Sequence, residues 1–240
     1  LLNEDFEEDD ELREDLISFK GIDLSSNYIN LNESGNKGAI QVFKNKKVEL
    51  NTENQDIKLP FSDVKKVDWY YNAVKYVYEK KIMSGKNAST FSPNEKLTRA
   101  MLVTMLHNME GRPYVAGISK FSDVQNTKEW YYVAIKWASA NNIISGYSNG
   151  KFGPNDQITR EQLAVILNQY CIYKEKYKSV KADYSKFTDS NKISDFAKWG
   201  MNWAVGNKII NGSNGKLNPQ GTATRAEAAA MLSNYCNIIK

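Results

Sequence analysis

Residues 61–240 repeat one unit three times, and that repetition governs the fold before any local propensity is weighed. Each copy opens on a phenylalanine with an aspartate two positions on: Phe61 and Asp63, Phe121 and Asp123, Phe187 and Asp189. From that Phe to an arginine the interval is 38, 39 and 38 residues, ending at Thr98-Arg99, Thr159-Arg160 and Thr224-Arg225. An aromatic anchor (Trp69, Trp130, Phe196) stands 16 residues before a glycine (Gly85, Gly146, Gly212), and a proline (Pro93, Pro154, Pro219) stands six residues before each arginine. The copies divide the chain into 61–120, 121–186 and 187–240, behind a first segment, 1–60, of different character.

Each copy reads as helix, turn, helix. In copy 2, Trp130, Ala134, Trp137 and Ala138 fall on one helical face, matched by Trp69, Ala73, Tyr76 and Val77 and by Phe196, Gly200, Trp203 and Ala204. The glycine after the next apolar pair reads as a helix C-cap or a turn needing positive φ. The second helix starts at the threonine. Thr224 with Glu227 makes a capping box, Thr159 with Gln162 keeps it, and Thr98 with Met101 lacks the returning side chain. These second helices are apolar around much of their circumference, which predicts that they are central and buried, one per copy, about a pseudo-threefold axis.

Charge separates the head from the repeats. Residues 1–60 hold 7 Lys+Arg against 14 Asp+Glu, net −7, so residues 61–240, with 25 against 14, carry +11. Glu4 to Asp15 reads as a solvated helix or frayed end, and the rest of the head as short strands closing an upstream domain. The basic repeats favour an anionic partner, against the plainer reading of a solvated lysine surface. No apolar run is long enough for a membrane span, and no signal peptide is visible at Leu1, which suits a cytosolic chain or a trimmed secreted one.

Much catalytic chemistry is missing. His107 is the only histidine, on the apolar second helix of copy 1, and reads as structural. There is no phosphate loop, Cys-x-x-Cys or His-Glu-x-x-His pattern. Cys171 and Cys236 occupy equivalent positions and read as small core residues rather than a disulfide. No cofactor is expected and the chain reads as a binder, not an enzyme.

The arginine carries the functional argument. At the first helical position it opposes the helix dipole by about 0.3–1 kcal/mol, so its recurrence three times needs a reason. Free N–H groups at a helix start plus a guanidinium would cradle an anion. The guest is either the Asp of the Phe-x-Asp element or a ligand carboxylate. The tryptophans are either core or apolar planes on which a sugar stacks.

Phe-x-Asp-Val, an aromatic helix, Ile-x-Ser-Gly, the turn Tyr147-Ser-Asn-Gly-Lys-Phe152, and Thr-Arg-Glu-Gln and Thr-Arg-Ala-Glu at 159–162 and 224–227 together resemble the S-layer homology (SLH) domain. The resemblance covers residues 61–240 and implies a mainly α fold, with three helix-turn-helix repeats arranged as a pseudo-threefold trimer around a central three-helix bundle. It implies that the chain is secreted and sits in the cell wall or S-layer of Gram-positive bacteria. It further implies binding to secondary cell-wall polysaccharide, often through a pyruvate-ketal sugar, in grooves between repeats. The expected ligand-binding set is Arg99, Arg160 and Arg225, Asp63, Asp123 and Asp189, Trp69, Trp130 and Trp203, with Ser84-Gly85, Ser145-Gly146 and Asn211-Gly212. The expected partners are anionic wall polysaccharide and other S-layer subunits, not nucleic acid. The competing reading is an anchored hydrolase whose catalytic part lies outside this chain.

Overall fold

The computed structural model describes residues 58–239, which belong to one compact unit. The expectations for the head therefore lie, except at its last three residues, outside the described residues. Each copy supplies two helices. They are α1 (Tyr71–Glu79) and α2 (Arg99–Met109), α3 (Tyr132–Ala140) and α4 (Arg160–Tyr173), and α5 (Lys198–Gly206) and α6 (Arg225–Ile238). Two 3₁₀ turns, Ser190–Lys192 and Asp195–Ala197, lead into α5. Among the described residues, β pairing is confined to isolated bridges, so the architecture is mainly helical, as the repeats predict.

The second helices begin as their sequence dictates. Thr98, Thr159 and Thr224 are extended, and each hydroxyl accepts the N–H three residues on, at 3.3, 3.2 and 3.2 Å. Gln162 and Glu227 return the bond to the backbone of their own threonine, at 3.1 and 2.8 Å. Met101 cannot, so copy 1 has half a capping box.

The first helices start two residues later than the apolar period suggests. Turns closed by the Tyr71 N–H on the Asp68 carbonyl (2.9 Å) and the Tyr132 N–H on the Glu129 carbonyl (3.0 Å) hold the anchors outside the helix. Trp69, Trp130 and Phe196 are consequently 68, 57 and 61% exposed, which corrects their assignment to the packed face. The faces that pack are Val74 and Val77, Ala134, Trp137 and Ala138, and Gly200, Trp203 and Ala204.

Packing closes a ring. The first helix of each copy lies on the second helix of the copy before it: α3 on α2, α5 on α4, and α1 on α6. Trp137 of α3 meets His107 of α2 with ring centroids 5.2 Å apart, and the buried His107 uses Nε2 to donate to the Pro113 carbonyl at 2.9 Å. On the axis, Tyr170 of α4 packs against Tyr235 of α6 at 5.5 Å and its hydroxyl donates to Glu110, the C-cap of α2. At the other end the residues before the second helices bond one another in a triangle. The Leu97 N–H donates to Ala223, Ala223 to Ile158 and Ile158 to Leu97, each at 2.9 Å. Cys171 is buried, Cys236 is half-buried, and the two are not joined in a disulfide.

The repeated glycines answer to space more than to φ. Only Gly212 is in the left-handed region (φ 69°), while the residue just past each first helix's C-cap, Lys81, Asn142 or Lys208, takes that conformation instead (φ 55, 57 and 58°). A Cβ on Gly85, Gly146 or Gly212 would lie 2.4, 2.6 or 2.6 Å from the ring of its own copy's Phe61, Phe121 or Phe187. The expectation of a positive-φ C-cap is thus corrected at Gly85 and Gly146: the ring of the opening Phe packs too close to the glycine to admit a Cβ. Gly146→Ala should cost about 1–3 kcal/mol of overpacking, seen as a lower unfolding midpoint in scanning calorimetry.

Candidate functional site

Each arginine leaves its own copy and reaches into the next. Arg99 Nε donates to the Phe152 carbonyl at 2.8 Å and Nη2 to the Ser145 carbonyl at 3.2 Å. Arg225 Nε donates to Phe91 at 2.8 Å and Nη2 to Ser84 at 2.7 Å. Arg160 Nε donates to Leu217 at 2.8 Å, but its Nη1 donates to the Glu227 carboxylate at 2.8 Å. The three side chains staple copy 1 to 2, 2 to 3, and 3 to 1. The residues are 5, 8 and 7% exposed in chain order.

The open cradle at each helix start is not what forms. The backbone N–H of Arg99, Arg160 and Arg225 goes to the carbonyl of Asp156, Gly221 and Glu95, and the next N–H to that of Pro154, Pro219 and Pro93, all at 2.9–3.0 Å. The threonine takes the third. Helix-start donors are thus spent on the neighbouring copy, and the guanidinium faces the seam alone.

The aspartates settle differently from either expected guest. Asp63 accepts the N–H groups of Phe91 and Ser92, Asp123 those of Phe152 and Gly153, and Asp189 those of Leu217 and Asn218, all at 2.7–2.8 Å. None pairs directly with an arginine among the described residues. Instead Phe91, Phe152 and Leu217 each give their N–H to the aspartate and their carbonyl to the arginine of the preceding copy. At Asp189 burial raises the pKa, and the N–H bonds from Leu217 and Asn218 outweigh it, leaving the carboxyl below the usual range.

The seams differ in charge and in aromatic content. Burial lowers the pKa of all three arginines, opposed at Arg99 by Tyr147, Asp156 and Asp123, at Arg160 by Glu227 and Asp189, and at Arg225 by Glu95 and Asp63. Only Arg160 has a carboxylate in ion-pair contact among the described residues. Arg99 lies 4.9 Å from the Tyr147 ring centre and 4.5 Å from that of Phe152, and Arg225 lies 4.6 Å from Phe91. Tyr147 donates to Asp156 at 2.9 Å, and in copy 1 the same places hold the pair Lys86–Glu95 at 2.7 Å.

Of the residues expected at the site, the structure joins Arg99 to Ser145 and Arg225 to Ser84 through their carbonyls, with Gly146 and Gly85 beside them. Asn211 does not bond Arg160; its amide donates to Lys208, at 3.1 Å. Trp203 is 2% exposed and packs against Tyr235, so it offers no face to a ligand, a correction forced by its place at the helix contact. Exposed Trp69 and Trp130 make edge contacts with Tyr70 and Tyr131 at 5.3 and 5.2 Å. Burial, and then acidic neighbours ending with Asp63 and Asp123, raise the pKa of these tyrosines. Tyr147, peculiar to copy 2, was read only as part of a turn, and Glu227 was read as a cap. A depression of about 470 Å³ is lined by Tyr184 of copy 2 and by Ser190, Asn191, Ile193, Lys198 and Asn202 of copy 3; none of the three arginines borders it.

The sequence model of the S-layer homology domain matches residues 60–100, 120–164 and 186–229, more than half of the chain. The chain is 34% identical over 182 residues to an endoglucanase of Bacillus sp. (strain KSM-635), covering 75% of this chain and 19% of that protein. It is 33% identical over 153 residues to the surface-layer 125 kDa protein of Lysinibacillus sphaericus, covering 61% of this chain and 12% of that one. It is 30% identical over 173 residues to the S-layer protein sap of Bacillus anthracis, covering 72% of this chain and 21% of that one. The chain thus spans about a fifth or less of these relatives' length.

Two outcomes follow from the geometry. Arg99→Ala strips the Phe152 and Ser145 carbonyls of their donors and should destabilise the fold by about 1–3 kcal/mol, read from urea unfolding. Asp189 stabilises the fold above the ordinary carboxylate pKa, and the gain fades as pH falls through its depressed folded value. Asp189→Asn should therefore lower stability at neutral pH and flatten the acid side of the stability profile.

Proposed function

The chain belongs to the S-layer homology domain family, and from that membership we propose that it is a non-covalent cell-wall anchoring module. It binds anionic, pyruvylated secondary cell-wall polysaccharide in the seams between repeats and tethers an S-layer or other exported protein to the surface. Its location is then outside the cell, in the wall or S-layer, with other S-layer subunits as neighbours. The observation that carries this reading is the cyclic placement of one guanidinium at each seam, together with the exposed Trp69 and Trp130 of copies 1 and 2. A guanidinium suits a carboxylate and a tryptophan face suits a sugar ring. The +11 charge of residues 61–240 adds long-range attraction for an acidic polymer.

An anchoring role is supported by proteins named as an enzyme and as surface-layer proteins sharing this part, which makes up about a fifth or less of each. One charge-assisted hydrogen bond contributes about 1.5–3 kcal/mol, so a single seam binds modestly. A polymer with repeated epitopes engages several seams at once and gains avidity without new contacts. The endoglucanase relative favours one second reading: the parent protein is a surface hydrolase whose catalytic part lies outside this chain.

Co-sedimentation with protein-free wall sacculi tests the anchor: the chain should pellet with intact sacculi, lose binding when the ketal is removed, and resist displacement by DNA. Binding that survives ketal removal would reject carboxylate recognition. Trp69→Ala and Trp130→Ala remove exposed rings, so each should weaken binding about tenfold, or ~1.4 kcal/mol, with an unchanged melting temperature.

A further inference from the structure

Resting on the anchoring reading, we propose that this chain offers two ligand seams and not three. Arg99 and Arg225 receive a carboxylate-bearing sugar, while Glu227 occupies the matching place on Arg160 and closes that seam from within.

Two independent features of the molecule point the same way. The first is charge. Glu227, the third residue of its second helix, bonds the arginine of the preceding copy, Arg160, and the repeat puts Gln162 at the equivalent position toward Arg99 and Met101 toward Arg225. Glu227 alone is anionic, and it bonds twice, accepting the Thr224 N–H through Oε2 and Arg160 Nη1 through Oε1, both at 2.8 Å. Arg99 and Arg225 turn Nη2 to the serine carbonyls instead, and no described carboxylate makes an ion pair with either. Arg99 and Arg225 are touched directly only by neutral carbonyls and ring faces, and carboxylates act on them from a distance, which leaves open the ion-pair place that Glu227 fills on Arg160. Nη1 of Arg99 and of Arg225 bonds no described residue. It is the donor left for the guest.

The second feature is the aromatic ledge. Copy 1, which receives Arg225, opens on Trp69-Tyr70, and copy 2, which receives Arg99, opens on Trp130-Tyr131, each an edge-on pair with the tryptophan exposed. The corresponding pair in copy 3, which receives Arg160, is Phe196-Ala197, with Ala197 fully buried. The copy that receives the ion-paired arginine is thus also the one that lacks the Trp-Tyr pair.

The test counts sites. Equilibrium dialysis of the 240-residue chain against a monosaccharide carrying a pyruvate ketal should saturate at two per chain, and its neutral methyl ester should not bind. Glu227→Gln should raise the count to three, because a glutamine there still caps the helix, as Gln162 does. Gln162→Glu should lower it to one by installing the same internal carboxylate against Arg99, and Arg160→Gln should leave it at two. A melting curve confirms that each variant is folded. Three sites in the unaltered chain, or an unchanged count in both Glu227→Gln and Gln162→Glu, overturns the two-seam proposal while leaving the anchor standing. No binding of the acid, or equal binding of the ester, overturns carboxylate recognition itself, and the proposal with it.

Discussion

The triangle of backbone hydrogen bonds among Leu97, Ala223 and Ile158 is the constraint on which the molecule rests. It runs from copy 1 to 3 to 2 and back, while the N–H groups of the arginines run from copy 1 to 2 to 3. Every second helix therefore has its first two orphan donors satisfied by another copy. An isolated copy would leave those donors bare and one face of each helix uncovered. The repeats fold as one object for that reason, and the seams exist only in the closed ring.

The arginine staple explains a residue that looks wrong for its position. A cation at a helix start is disfavoured by the dipole, yet here the guanidinium turns from its own helix toward carbonyls of the next copy. Asp and Arg, so regularly spaced in sequence, are coupled through a single main-chain residue between them, Phe91, Phe152 or Leu217. The same side chain thus builds the seam and supplies its charge. Stability and binding are joined there, and a ligand would act on a group already holding two copies together.

Much of the fold was legible because repetition and capping are local. The threonine caps, the two full boxes, the half box at Thr98 and the buried second helices all follow from spacing within a dozen residues. The site was less legible. Carbonyl acceptors carry no side-chain identity, so nothing in the sequence announces that Arg99 reaches Phe152. The tryptophans at 69 and 130 share the period of the buried face, and only the turns closed at Tyr71 and Tyr132 expel them from it. Trp203 shares a helix with exposed Trp199 and is core because α5 approaches α4 closely enough that a Cβ on Gly200 would lie 2.8 Å from the Cα of Val165. Glu227 had a sufficient local explanation as a cap, which hid its second bond.

Because α1 returns to lie on α6, the array has no first or last member in space. An open solenoid needs special terminal units to shield its ends and can lengthen by adding one more. A closed circuit needs neither and permits neither. The number of copies is set by the angle each one turns, and a fourth copy would have to break the circuit to enter it.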